Sequence, residues 1–187
     1  DYDFEGSNLS TIIDVLAYNT YITNEAGSLV TNSSEGYFSN MSSTLLTMTT
    51  GSSNIDNLNK SGDRYLMYCW NEVEGYSKFG SYEGNGSADG PLIYTGFTPA
   101  FFLCKNIDSG SVHDDWPLKD NKRPAYNVED LTILISRTGI TESTDNQVDF
   151  VSNGIKIRGT TSESNDSGDT MIYAAFASHP FKTANAR

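Results

Sequence analysis

The chain has 187 residues, with 24 acidic and 12 basic side chains and a formal net charge of −12. This charge argues against a nucleic-acid partner, because Lys and Arg drive binding to phosphates. The sequence has no run of about 18 apolar residues that would insert into a membrane. The first residues, Asp1 to Phe4, also lack the basic and apolar regions of a signal peptide.

The composition favours short β-strands. Ser, Thr, Asn, Gly and Tyr are abundant, and no window keeps a helical spacing of apolar residues over three turns. The predicted class is therefore all-β, with antiparallel sheets packed as a sandwich or jelly-roll-like fold. The predicted strands, in chain order, are Tyr21–Thr31, Thr44–Thr49, Arg64–Trp70, Leu92–Tyr94, Ala100–Lys105, Leu131–Ser136, Val148–Val151, Gly154–Arg158 and Thr170–Phe176.

The strongest hairpin signal is the Asn153-Gly154 step, which lies between the last two apolar runs before the carboxyl-terminal strand. Both residue types tolerate positive φ, which the common two-residue hairpin turns require. Apolar and charged residues alternate directly after this step, as they do in a strand with one buried face. The sequence therefore predicts an antiparallel pair here, with its turn at Asn153-Gly154.

An internal repeat predicts a tandem organisation. Ser61-Gly62-Asp63 and Ser167-Gly168-Asp169 begin 167 − 61 = 106 residues apart, and each precedes an apolar run that ends on a large aromatic residue. This period is longer than a solenoid unit and suits whole β domains, although chance similarity of β-rich sequence is the alternative. We predict the carboxyl part of a first, incomplete copy over 1–78 and a complete second copy over 79–187. The parent polypeptide is then expected to extend amino-terminally.

Little in the chain predicts catalysis. His113-Asp114-Asp115 has no positioned nucleophile beside it, and the two histidines lack the spacing of a zinc site. Cys69 and Cys104 both lie in apolar runs, which favours buried free thiols, and a disulfide is the alternative. We predict that the chain is not an enzyme.

Calcium has to be weighed separately, because Ca²⁺ takes oxygen ligands and the chain is rich in carboxylates. No segment has the twelve-residue calcium loop with its central Gly and terminal Glu. Solvated acidic turns explain these residues, so no cofactor or metal is predicted. The three acidic groups considered are Asp1, Asp3 and Glu5; Asp114, Asp115 and Asp120; and Glu163, Asp166 and Asp169.

Aromatic residues beside turns are candidates for a contact surface. Tyr combined with Ser, Gly and Asn gives rigid contact area with adaptable hydrogen bonds. Binding residues also concentrate on loops held by a rigid scaffold, which selects Tyr82–Pro91 and Ser109–Tyr126. A glycan or a neighbouring subunit would be the partner, and ordinary partly buried tyrosines are the alternative. The candidate residues are Tyr82, Asn85, Asp89, Tyr94, Trp116 and Tyr126.

Two stretches, roughly 64–109 and 148–187, carry a resemblance to a known family. The specific motifs are Gly84-Asn85-Gly86-Ser87-Ala88-Asp89-Gly90-Pro91, Tyr94-Thr95-Gly96-Phe97-Thr98-Pro99 and His179-Pro180-Phe181-Lys182. They resemble a repeated β-rich domain of uncharacterised function in structural proteins of marine and cyanobacterial tailed phages.

The resemblance implies a structural protein of the virion surface, made in the host cytoplasm, in a tail fibre or tail-associated adhesin that contacts the host. The expected partners are other virion proteins, further copies of the chain in a homo-oligomer, and a host surface glycan. The resemblance brings no catalytic or binding residues with it. A capsid decoration or head-fibre protein is the first alternative, and a glycan-depolymerising tail enzyme is the second.

Overall fold

The computed structural model describes residues 70–108, 115–123, 126–135 and 142–179, together with the backbone of two short paired strands, β1 (Phe38–Met41) and β2 (Leu46–Met48). The other elements are β3 (Ser77–Glu83), β4 (Leu92–Tyr94), β5 (Pro99–Asn106), β6 (Pro117–Asp120), β7 (Ile133–Leu134), β8 (Val148–Val151), β9 (Gly154–Ile157), the single-turn helix α1 (Ser162–Asn165) and β10 (Thr170–Ala177).

These later strands form two antiparallel sheets. The larger sheet has the order β3-β10-β5-β6-β7, and the smaller sheet has the order β4-β9-β8. In the larger sheet β10 lies between β3 and β5, so that Tyr173 faces Gly80 on one side and Cys104 on the other. The all-β class is therefore confirmed, and the arrangement agrees with a sandwich.

The main core consists of the side chains that the two sheets turn towards each other. The larger sheet contributes Phe102 from β5, which is 1% exposed, and Tyr173 from β10. The smaller sheet contributes Val148, Ile155 and Ile157 from β8 and β9. Burial of each such side chain stabilises the fold by about 1.5–3 kcal/mol. This packing holds the smaller sheet in place, and the other face of that sheet carries its outward residues.

A second aromatic cluster covers one end of the larger sheet on its other face. Phe176 of β10 is its centre, with ring centroids at 6.4 Å from Trp70, 6.0 Å from Tyr76, 5.8 Å from Phe79 and 5.5 Å from Phe101. All four contacts are edge-on, which is a favourable geometry for aromatic pairs. The larger sheet is thus packed on both faces around β10.

Buried asparagines fix the loops around α1. Asn106 and Asn165 are 0% exposed and Asn146 is 2% exposed. The side-chain amide of Asn106 donates to the Ser162 backbone carbonyl over 2.8 Å. The side-chain oxygen of Asn146 accepts from the Ser164 hydroxyl over 2.7 Å. Buried amides need such partners, so these three residues tie the loops to the strands.

Most strand predictions within the described residues are confirmed. The predictions for β4 and β8 match at both ends, and those for β5, β9 and β10 match to within one residue at each end. The predicted strands around β2 and β7 are longer than the observed ones, and β1, β3 and β6 were not predicted. The predicted strand Tyr21–Thr31 lies outside the described residues, as does Arg64–Trp70 apart from Trp70 itself.

The predicted hairpin joins β8 to β9, but its turn begins one residue earlier than expected. Val151 pairs with Gly154, so the turn consists of Ser152 and Asn153, neither of which has a positive φ. The glycine is required for another reason. A Cβ at Gly154 would overlap the carbonyl oxygen of Ile93 on the neighbouring strand β4.

The tandem organisation stays a prediction. The Ser167-Gly168-Asp169 turn does lead into β10, and Gly168 has the positive φ, 85°, that such a turn favours. The corresponding first-copy residues, Ser61 to Cys69, lie outside the described residues. The predicted boundary between residues 78 and 79 falls inside β3.

Cys104 is a buried free thiol, 1% exposed, as predicted, and Cys69 lies outside the described residues. Burial raises the pKa of the Cys104 thiol to about 12, and the thiolate is the reactive form.

We therefore expect iodoacetamide at pH 8 to leave Cys104 unmodified in the native protein and to modify it fully in denaturant. Peptide mass spectrometry measures both. Equal labelling in the two conditions would contradict the buried position.

Candidate contact surface

The outward face of the smaller sheet presents two exposed apolar side chains. Leu92 is 56% exposed and Tyr94 is 66% exposed, whereas Ile93 between them is 4% exposed. This is the alternation expected of a strand with one buried face. We use the name tyrosine face for the outward surface made by Leu92, Tyr94, Asp149, Lys156 and Arg158 with the adjacent loop residue Asp89.

The ring of Tyr94 lies beside the loop that follows β4. A Cβ at Gly96, where φ is 81°, would lie 3.8 Å from Cε1 and Oη of that ring. The loop is fixed in turn, because the amides of Thr95 and Gly96 donate to the Asn153 carbonyl over 2.9 and 3.2 Å. The Thr95 hydroxyl also donates to the Phe97 carbonyl over 2.7 Å. Tyr94 therefore lies on a strand that pairs with β9, and the loop that follows it is also hydrogen-bonded.

Charged residues on the tyrosine face neutralise one another. Lys156 Nζ lies 2.7 Å from Asp89 Oδ1, and Arg158 Nε lies 2.7 Å from Asp149 Oδ2. Arg158 also approaches Asp89, with Nη1 at 3.9 Å. The hydrogen bond and charge of Lys156 lower the pKa of the Asp89 carboxyl. Two acids and two bases give this surface a balanced charge on a chain with a net charge of −12.

The loop that carries Asp89 is anchored by Asn165 of α1. The side-chain amide of Asn165 donates to the backbone carbonyls of Ser87 and Gly159 over 2.8 Å each. Its side-chain oxygen accepts from the backbone N–H of Asn85 over 2.9 Å. Within the loop, the Asn85 side chain donates to the Asp89 carbonyl over 3.0 Å. Asp89 is thus held close to Lys156 by the fold.

Tyr126 lies near the opposite edge of the same sheet and is 86% exposed. The side chain of Asn127 exchanges two hydrogen bonds with the Phe150 backbone, of 2.9 and 3.0 Å, and Glu129 pairs with Val148. This segment therefore extends the sheet beyond β8. With strands about 4.8 Å apart, the backbones at Tyr94 and Tyr126 are separated by roughly 14 Å.

The surface role predicted for Trp116 and Tyr82 is corrected. Trp116 is 6% exposed and packs with Ile172, and Tyr82 is partly buried against Tyr173 with its hydroxyl donating to the Ser164 carbonyl over 2.7 Å. Burial raises the pKa of Tyr82 well above its usual value. The packing around Trp116 places its ring inside, and the pleat of β3 turns the ring of Tyr82 towards the core, where it is partly buried. The predicted residues that do lie at the surface are Asn85, Asp89, Tyr94 and Tyr126.

Two buried ionisable residues, Lys119 and Glu129, were not predicted to be buried. Lys119 is 1% exposed and Glu129 is 2% exposed, and Lys119 Nζ donates to the carbonyls of Glu129 and Asp145 over 3.3 Å each. Burial lowers the pKa of Lys119 to about 8 and raises that of Glu129 to about 7. Glu129 Oε1 has no hydrogen-bond partner among the described residues. The position of Lys119 follows from the pairing of β6 with β5, which places it opposite the buried Phe102.

An open cavity of about 450 Å³ lies near α1. One of its carboxylates, Asp145, accepts from the Ser143 hydroxyl over 2.9 Å, and another, Glu142, lies 3.3 Å from Arg123 Nη1. The cavity therefore offers an acidic, partly paired lining. Its residues are Leu131, Leu134, Glu142, Ser143, Thr144, Asp145, Asn146 and Glu163.

In the part of the chain that the structure describes, no group of three or more His, Cys, Asp or Glu side chains is placed to hold a metal ion. Of the acidic groups considered for calcium, Asp1 to Glu5 and Asp114 lie outside that part. In the third group, Asp169 Oδ2 accepts from the Asn106 amide over 2.8 Å, and Asp166 Oδ1 accepts from the Ser167 amide over 2.9 Å.

The profile of a domain of unknown function, DUF7483, matches residues 7–180 of the sequence. The match therefore covers both predicted copies almost completely. No curated protein and no solved structure matches the chain. Among the described residues, no helix has the length and apolar character needed to span a membrane.

Proposed function

The chain belongs to the DUF7483 family, and we propose that it is a structural protein of a tailed-phage virion. Its role is that of a surface-exposed contact module in a tail fibre or tail-associated adhesin that meets the host. The sequence resemblance to structural proteins of marine phages suggests the particle, and the tyrosine face suggests the mode of action. The module acts by contact, without catalysis.

The observation that carries the proposal is the pair of exposed apolar side chains on β4. Leu92 and Tyr94 are 56% and 66% exposed, although both stand on a strand whose other face is in the core. Single exposed apolar residues are common, but neighbouring ones on a fixed strand favour a contact site. The charge balance around them suits a surface that meets a partner without strong repulsion.

The carboxylates at the open cavity bear on the absence of catalysis. A glycoside hydrolase needs one carboxyl as proton donor and a second carboxylate facing it across the scissile bond. Of the three carboxylates that line the cavity, Asp145 is engaged by Ser143 and Glu142 by Arg123, and Glu163 is the third. Two of the three are thereby held by local partners, which supports a binding role for the chain. Release of oligosaccharides from host polysaccharide by the purified protein would contradict this part of the proposal.

Localisation on intact particles tests the proposed place in the virion. Antibody against the chain, coupled to gold, should label tail fibres or the tail tip of purified phage in electron micrographs. Label distributed over the head would instead support the alternative, a capsid decoration or head-fibre protein. Absence of the chain from purified particles, measured by mass spectrometry, would end the proposal.

A further inference from the structure

We infer that the tyrosine face is a binding site for a neutral glycan, with the ring of Tyr94 stacked on a pyranose ring and the adjacent charged side chains bound to its hydroxyls. The inference rests on the proposed function, because it names the partner of the contact module. It is carried by the position of one ring, the polar groups beside it, and the size and charge of the surface.

The ring of Tyr94 provides the stacking surface. It is 66% exposed, and its strand pairs with β9 while the following loop is bonded to the Asn153 carbonyl. A flat ring on a fixed backbone loses little conformational entropy when a ligand covers it. The apolar C–H face of a sugar ring is the complementary surface for such a ring, and Leu92 extends the apolar area along the strand.

Polar groups for the sugar hydroxyls stand next to this ring. Leu92 lies opposite Lys156 in the sheet register, and Tyr94 lies two residues further along β4, or roughly 7 Å away. This distance is about the width of one sugar ring. The Asp89 side chain, 84% exposed, offers carboxylate oxygens as acceptors, and the 37% exposed guanidinium of Arg158 offers donors.

Charge and area favour a neutral glycan over the other partners. The tyrosine face is balanced in charge, and the chain as a whole carries −12, which disfavours an anionic polysaccharide. Leu92 and Tyr94 together expose on the order of 200 Å². A stable protein interface, including one with a second copy of this chain, covers about 800 Å² on each side, of which somewhat more than half is apolar, so even its apolar part exceeds the area that these two side chains expose. A ligand of one to three sugar units fits the available area better.

The test uses the full chain on a printed array of neutral gluco-, galacto- and manno-oligosaccharides together with uronic-acid oligosaccharides. The best neutral oligosaccharide is then titrated by calorimetry against wild type, Tyr94→Ala, Tyr94→Phe and Ile135→Ala. We expect Tyr94→Ala to weaken binding at least about tenfold, which is the scale of one lost aromatic contact. Tyr94→Phe keeps the ring and should stay within about threefold of wild type. Ile135→Ala is the control at an exposed apolar residue that directly follows β7 in the larger sheet, and it should bind as wild type does.

Four results would overturn the inference: no neutral oligosaccharide bound, binding to uronic-acid oligosaccharides alone, equal affinity of Tyr94→Ala and wild type, or an equal loss in Ile135→Ala. Melting temperatures of the variants show whether each is folded. The outcome is separable from that of the proposed function. A chain found on tail fibres that binds no glycan refutes only the inference, and a chain that binds glycan but is absent from particles refutes only the virion role.

Discussion

Replacing Asn165 by Ala is expected to lower the free energy of unfolding by about 3 kcal/mol. Asn165 is 0% exposed, and its side chain makes three hydrogen bonds, to Ser87, Gly159 and Asn85. Each bond contributes about 1 kcal/mol, and the loss of the side chain also leaves buried backbone groups without partners. Urea unfolding followed by tryptophan fluorescence measures the change.

Asn153→Ala is the matched control for this experiment. Asn153 is an exposed asparagine in the β8–β9 turn, where its backbone carbonyl is the group that accepts hydrogen bonds. The same substitution there should change stability by no more than about 0.5 kcal/mol. A loss below about 1 kcal/mol for Asn165→Ala would show that the loop holding Asp89 does not depend on this residue.

Glu129→Gln is expected to make the protein more stable than wild type at pH 8 and about equally stable at pH 5. Burial raises the pKa of Glu129 to about 7, against 4.5 for an ordinary glutamate. The folded state therefore binds the Glu129 proton more tightly than the unfolded state does, so the contribution of Glu129 to stability falls as pH rises from about 4.5 through about 7. Gln stays neutral throughout and does not lose stability in this window.

The expected gain at pH 8 is on the order of 2 kcal/mol. The full pKa shift would give a larger value, but the charges of Arg123 and Asp130 that act on Glu129 are partly exposed and therefore screened by water. Unfolding free energies of both proteins, measured at half-unit steps from pH 5 to pH 8, give the difference directly. Glu74→Gln, at an exposed glutamate, is the control and should give a flat difference. Parallel curves for Glu129→Gln and wild type would mean that the Glu129 carboxyl is solvated in the native state.

The strands that could be predicted from sequence are those in which local pattern and tertiary environment agree. Leu92–Tyr94 and Val148–Val151 are short runs bounded by turn residues, and both are strands with an apolar residue inward. β3 was missed because Ser77–Glu83 is interrupted by Gly80 and polar residues, which read as a loop. Its strand form comes from β10, which pairs along its whole length.

At the candidate site, too, the local sequence could identify only some of the exposed residues. Tyr94 and Tyr126 could be selected because exposed tyrosines beside turn residues are common at contact sites. Tyr82 and Trp116 have similar neighbours in the sequence, yet both rings lie inside, because the neighbours that bury them, Tyr173 and Ile172, are distant in the chain. Contacts of this kind leave no local sequence signal.

Buried polar residues were the least predictable feature. Lys119 and Glu129 are ordinarily surface residue types, and nothing in their immediate sequence indicates that β6 turns Lys119 inward. Asn165 likewise resembles any polar loop residue, although the fold closes around it. Their burial depends on which strands become neighbours, and the local sequence pattern does not reveal this pairing.

The place of β10 between β3 and β5 has a consequence for how the protein is made. β3 joins the larger sheet only through β10, and β5 pairs with β6 on one side and with β10 on the other. β10 is the last of these strands to be translated, so β3 and β5 stay apart until it is made. Until β10 leaves the ribosome, Phe79 and Phe102 have no completed sheet to enter. Such distant pairing slows folding and leaves apolar surface exposed to other nascent chains. Chains that are released before Thr170 has been added should therefore aggregate. The yield of native protein should then depend on uninterrupted translation or on chaperones that bind the unfinished chain.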